Sequence, residues 1–157
     1  MKFLTIFPDE ANNNYRGIGL ALWFFYLYLA LIAFRSFTHM FAQDAGLNSI
    51  ASIIIFPEVN SLNPNRVIYL IGSLWGGSQI VVLLISIVIL IKYKSLLSLT
   101  WLIFVFDNIL RIITMTMHNL DQAYLSSTAP GGLFGTSIML FVTLKMFFIS
   151  LIERKQR

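Results

Sequence analysis

The chain has no cysteine and only seven acidic residues among its 157. The first absence excludes disulfides, thiolate metal sites, iron–sulfur clusters and cysteine nucleophiles. The second belongs to a wider shortage of charge. Asp, Glu, Lys and Arg make up 11% of the residues, where soluble domains carry about a quarter, so this chain cannot cover a water-facing surface. Common catalytic patterns are missing as well. Ser78, Ser137 and Ser150 occur without a nucleophile elbow, and there is no HExxH, no paired-carboxylate arrangement and no glycine-rich nucleotide loop following a strand.

Apolar residues take that place. They account for 57% of the chain, and the mean hydropathy is +0.78, the composition of an integral membrane protein. Four segments approach the roughly 20 residues that a bilayer-spanning helix needs. They are residues 17–38, 67–91, 95–117 and 132–152. The opening "MKFLTIFPDEANNN" does not read as a signal peptide, because its apolar stretch is short and Pro8, Asp9 and Glu10 follow at once. The first segment is therefore expected to remain.

With four spans, Lys2, Arg16, Lys92, Lys94, Arg154, Lys155 and Arg157 fall on one side, and only Arg66 falls on the other. The positive-inside rule then puts both termini in the cytoplasm. The net charge of +4 is a signature of topology, and nucleic acid is not expected as a partner. The connection "KYKS" (92–95) is so short that the second and third helices are expected to form a tight antiparallel hairpin. The outer loop 39–66 is longer. Its apolar stretch 50–56 is too short to span, and suits the membrane interface or a cap over the helices, with Pro57, Asn63 and Pro64 breaking the chain behind it. The reading is one all-α domain over residues 1–157, a four-helix transmembrane bundle.

Two stretches resemble each other, "GSLWGGS" (Gly72–Ser78) and "GGLFGTS" (Gly131–Ser137), and "RSFT" (Arg35–Thr38) has a counterpart in "RIIT" (Arg111–Thr114). They suggest two tandem helical hairpins, although membrane segments share so small an alphabet that chance produces such matches. Gly72 with Gly76, and Gly131 with Gly135, have the four-residue spacing that lets helix backbones approach closely. Trp75 would lie away from that glycine face, near the outer headgroups. Trp23, Phe24, Phe25, Tyr26 and Tyr28 read as an interfacial belt merging into a lipid-facing surface.

Charges at membrane depth are costly unless paired or wetted, and Arg35, Asp107, Arg111 and Lys145 all fall inside apolar segments. Asp107 and Arg111 are one helical turn apart and so can pair, with Asn108 beside them and Thr114 and His118 continuing the stripe. Arg35 and His39 share a face of the first segment, and Ser78 and Gln79 sit about halfway along the second. Lys145 stands apart and is expected to snorkel to the cytoplasmic headgroups.

Three readings compete for this constellation. In the first, Asp107–Arg111 is an internal pair fixing helix register in a purely structural or assembly subunit, while Arg35 snorkels. In the second, Arg35, His39, Gln79, Asp107 and Arg111 form an outer-half pocket for an anionic or quinone-like amphiphile, because a guanidinium fork suits carboxylate, phosphate or carbonyl oxygen. In the third, His39 and His118 hold a haem b in a redox protein, with the arginines near its propionates.

"FRSFTHMFAQDAG" (Phe34–Gly46) together with "LWGGSQ" (Leu74–Gln79) resembles small bacterial four-helix inner-membrane proteins of the DoxX-like kind. The family's glycine- and lysine-bearing first-helix signature is absent. The resemblance implies an inner-membrane location and quinone-coupled redox partners within a larger complex, with Arg35, His39 and Gln79 as the matching positions.

Overall fold

The computed structural model describes residues 3–126 and 131–154, and of residues 131–134 the backbone alone. The expectations resting on Lys2, Lys155, Arg157 and the packing of Gly131 and Phe134 lie outside the described residues. Within them the chain is all-α. Its helices are α1 (Gly19–Phe41), α2 (Asn65–Lys92), α3 (Leu97–Met117) and α4 (Gly131–Ser150). Short 3₁₀ turns, Lys94–Leu96 and Gln122–Tyr124, precede α3 and α4.

Three of these helices are long and apolar enough to cross a membrane. At about 1.5 Å per residue, the 23 residues of α1 reach about 35 Å, more than the hydrocarbon core requires. In α4 the stretch Gly135–Ser150 is apolar but shorter. None of the four helices contains proline, so each can satisfy its backbone groups internally, the condition for lying in lipid. Polar residues inside them behave accordingly. Ser36 Oγ donates to the Ile32 carbonyl at 2.7 Å and Thr38 Oγ1 to the Phe34 carbonyl at 2.8 Å. With both hydroxyls bonded back into the helix, α1 runs through "RSFTHMF" to Phe41, three residues past the expected end.

α1 packs along α2, α3 along α4, and α1 also along α4. α2 and α3 meet only sparsely, which corrects the tight hairpin expected from their short connection. A four-residue link brings two helix ends together but does not choose the faces that pack. The choice falls to small residues. A Cβ added at Gly76 would lie 2.5 Å from the Met40 nitrogen and 2.7 Å from the His39 carbonyl carbon, so α2 is pressed against α1 there. Gly72 lies against Leu47 and Ala45 in the same way. Gly135, by contrast, has nothing within 4 Å of such a Cβ among the described residues, and the packing role expected for it is not found among them.

Between α1 and α3 the space is filled by aromatic rings. Phe25 and Trp101 meet edge to face at 5.5 Å, and Tyr28 lies 4.7 Å from Phe104. Both Phe25 and Tyr28 are buried, whereas Trp23 and Tyr26 are exposed. The aromatic run of α1 is thus only partly a lipid-facing belt. Consecutive helical residues are about 100° apart, so a run of rings must send some of them inward.

One end of the molecule gathers the segment before α1, the α2–α3 connection and the chain after α4. Leu4 N donates to Leu151 O, Ser95 N to Asn12 O and Arg154 N to Arg16 O. The opposite end carries the loops 42–64 and 118–126. Here the apolar stretch 50–56 acts as a cap, since Ile53 bridges to Leu125 and Ile54 N donates to Tyr124 O at 3.0 Å. Buried Asn65 ties this loop to the start of α2 by exchanging two hydrogen bonds with the Phe56 backbone, at 3.0 and 2.7 Å.

Candidate functional site

Asp107 and Arg111 form a two-point ion pair along α3, Nε to Oδ2 at 2.8 Å and Nη2 to Oδ1 at 3.1 Å. The helical spacing of four residues stacks the two side chains on one face. From α2, Gln79 completes the arrangement. Its amide, oriented by the donors around it, accepts from Arg111 Nη2 at 3.1 Å and from Trp75 Nε1 at 3.1 Å. Trp75 precedes Gln79 by one turn and is the platform of the cluster. The guanidinium carbon of Arg111 stands 4.9 Å from its ring centroid and that of Arg35, from α1, stands 5.8 Å away. Both distances are within cation–π range.

His39 closes the third side. Its ring centroid lies 4.5 Å from that of Trp75, and its Nδ1 donates to the Ala45 carbonyl at 2.7 Å. A carbonyl can only accept, so the proton on that nitrogen is assigned by its partner. The loop that presents Ala45 is itself held. Ala45 and Gly46 both have positive φ, 49° and 68°. Asp44 caps the turn through the amides of Gly46 at 2.9 Å and Ser49 at 2.8 Å. Partial burial pushes the Asp44 carboxyl up, but the donors from Ser49 and Gly46 outweigh it and hold the group below its ordinary value.

Of the five residues singled out in the sequence, Arg35, His39, Gln79 and Arg111 therefore meet around one indole, and Asp107 joins them through Arg111. They sit toward the loop-bearing end, where the backbones of α2 and α3 barely touch. Their partners are unequal. Arg111 has a carboxylate and an amide, while Arg35 donates no hydrogen bond among the described residues. Its guanidinium stands over the Trp75 ring, in the fields of Arg111, Tyr28 and Asp107. Asp107 is 47% exposed against 17% for Arg111, so the cluster opens on the carboxylate side.

Other candidates lie elsewhere. Lys145 is exposed on α4, and Asp107 already has Arg111 as its partner. His118 is exposed just past α3 while His39 is buried, so the two histidines have quite different surroundings. Asn108 turns inward, donating to Tyr28 Oη at 3.0 Å and to the Phe104 carbonyl at 2.8 Å. Trp75 was missed as a site residue because its position suited an interfacial anchor. The available signal was its spacing of four from Gln79, which puts both on one face. Comparison with protein-family models, with curated proteins and with solved structures finds no match.

Proposed function

We propose that this is a multi-pass protein of the bacterial inner membrane, a four-helix bundle with both termini in the cytoplasm. Its outer-half cluster binds the head of an anionic or quinone-like amphiphile, alone or as accessory subunit of a larger complex. The observation that carries this reading is Arg35. A half-buried guanidinium with five N–H donors and no acceptor among the described residues is poorly satisfied, and a ligand oxygen would satisfy it. The charge distribution supports the inside–outside assignment, and the DoxX-like stretches support the inner membrane.

A second reading has its own support. The chain Asp107–Arg111–Gln79–Trp75 is closed on itself and bridges α3 to α2, as a device fixing helix register would be. Native mass spectrometry of protein extracted in mild detergent separates the two. Binding predicts a retained amphiphile whose mass disappears in Arg35→Ala and Arg111→Ala. Identical adducts and unchanged assembly in those variants leave only the structural role.

A further inference from the structure

We infer that the ligand is a lipid with a monoanionic phosphodiester head, taken from the membrane through the seam between α2 and α3, and that Arg35 is the residue that grips it. The inference rests on the amphiphile-binding reading and narrows it.

The charge count gives the sign. Two guanidiniums, Arg35 and Arg111, stand at the same indole, and one carboxylate, Asp107, is paired to Arg111; the other carboxylate near the cluster, Asp44, acts on His39 and is already held by the amides of Gly46 and Ser49. A quinone carbonyl would accept a hydrogen bond from Arg35 but would leave the extra charge uncompensated in an apolar setting. A monoanion neutralises the cluster. The roles also divide. Arg111 is committed at both ends of its fork to Asp107, and Gln79 takes a further donor. It is a positioning residue that fixes Trp75 and the local field. Arg35 has its donors free and is within reach of the same ring.

The seam gives the source. α2 and α3 are neighbours in sequence whose backbones meet only sparsely, and the half-exposed Asp107 marks the cluster's open side. The exposed surface next to it is apolar. Ile103 and Leu110 lie one turn either side of Asp107 on α3, and Val82 lies one turn after Gln79 on α2, all three exposed. Acyl chains suit those walls while the phosphate meets Arg35, whereas a soluble phosphate ion would have nothing to place there.

The test uses the full chain in a nonionic detergent, titrated with phosphatidylglycerol, phosphatidylcholine, a short-chain ubiquinone and inorganic phosphate, with binding read by microscale thermophoresis. Phosphatidylglycerol is expected to bind at least about tenfold tighter than phosphatidylcholine or phosphate, the worth of one charge-assisted hydrogen bond. Arg35→Gln should lose about that factor, and Arg35→Lys should fall between. Asp107→Asn should bind at least as tightly as wild type, because it raises the positive excess. A cluster that merely holds helices together would instead be weakened by Asp107→Asn as by Arg35→Gln. Circular dichroism and melting of each variant identify misfolding, and the lipid series on the wild-type protein stands without them. Ubiquinone binding without phosphatidylglycerol binding overturns the inference and leaves the amphiphile reading intact. Inorganic phosphate binding as tightly as the lipid overturns the membrane source. If neither lipid nor quinone binds, both fall.

Discussion

Trp75 decides how the charged residues of this chain coexist. Its ring accepts two cations on its π-system while its N–H gives Gln79 a donor, so one side chain links three helices. Two glycines of contrasting surroundings test the packing. At Gly76 any side chain meets the α1 backbone, so Gly76→Leu should cost about 1–3 kcal/mol of stability by overpacking. Gly135→Ala should not lower the melting temperature, since a Cβ there meets nothing among the described residues. Thermal melting of both variants in detergent checks the pair, and an unaltered Gly76→Leu would contradict the close α1–α2 crossing. Asp44 offers a pH test of the loop behind His39. Its carboxyl is held below its ordinary value of 3.8, so its contribution to stability is complete above that value and is lost as pH falls through the lower folded value. The protection of the amides of residues 45–49 against exchange, relative to the unfolded chain at the same pH, should therefore fall below about pH 4. Asp44→Asn should remove that pH dependence, and a loop equally protected at pH 3 and 7 would contradict the capping role.

At the scale of elements, the helices were legible because hydropathy runs of spanning length have few alternatives. So was the Asp107–Arg111 pair, because spacing of four residues on a helix fixes proximity without tertiary knowledge. Convergence between helices was legible only as an expectation. It depends on which face of α2 meets α1, and the hydropathy of α2 is nearly uniform around its circumference, leaving only Gly72 and Gly76 to mark that face. The short link between α2 and α3 suggested a packed hairpin because loop length says nothing about which faces meet, and Gly135 shows that glycine spacing alone does not locate a contact among the described residues. The loops were less legible still, since the Ile53–Leu125 bridge joins residues 72 positions apart with no periodic signal. Cysteines substituted for Ile53 and Leu125 in this cysteine-free chain should form a disulfide under mild oxidation, because bridged residues lie about 4.5–5.5 Å apart. A faster band on a non-reducing gel would show it. Its absence, with both thiols accessible to label, would contradict the paired outer loops.

At the scale of the whole molecule, the residues around the α2–α3 connection lie with both chain ends on one side, and the loops 42–64 and 118–126 lie on the other. The excess of Lys and Arg falls on the terminal side, so a membrane would hold that side in the cytoplasm. Single cysteines report this directly. A thiol at position 61 should react with an impermeant maleimide on intact cells, and one at position 13 only after lysis; the reverse pattern would invert the topology. In the proposed topology the cluster lies beneath the outer headgroups, where a guanidinium without a hydrogen-bond acceptor among the described residues needs an anion or a carbonyl. The measurement that bears most directly on this is the native mass spectrum of wild type beside Arg35→Ala, purified in parallel from the same host. The wild-type protein should carry one amphiphile that Arg35→Ala lacks. Equal occupancy of the same molecule in both would contradict a role for Arg35 in holding it.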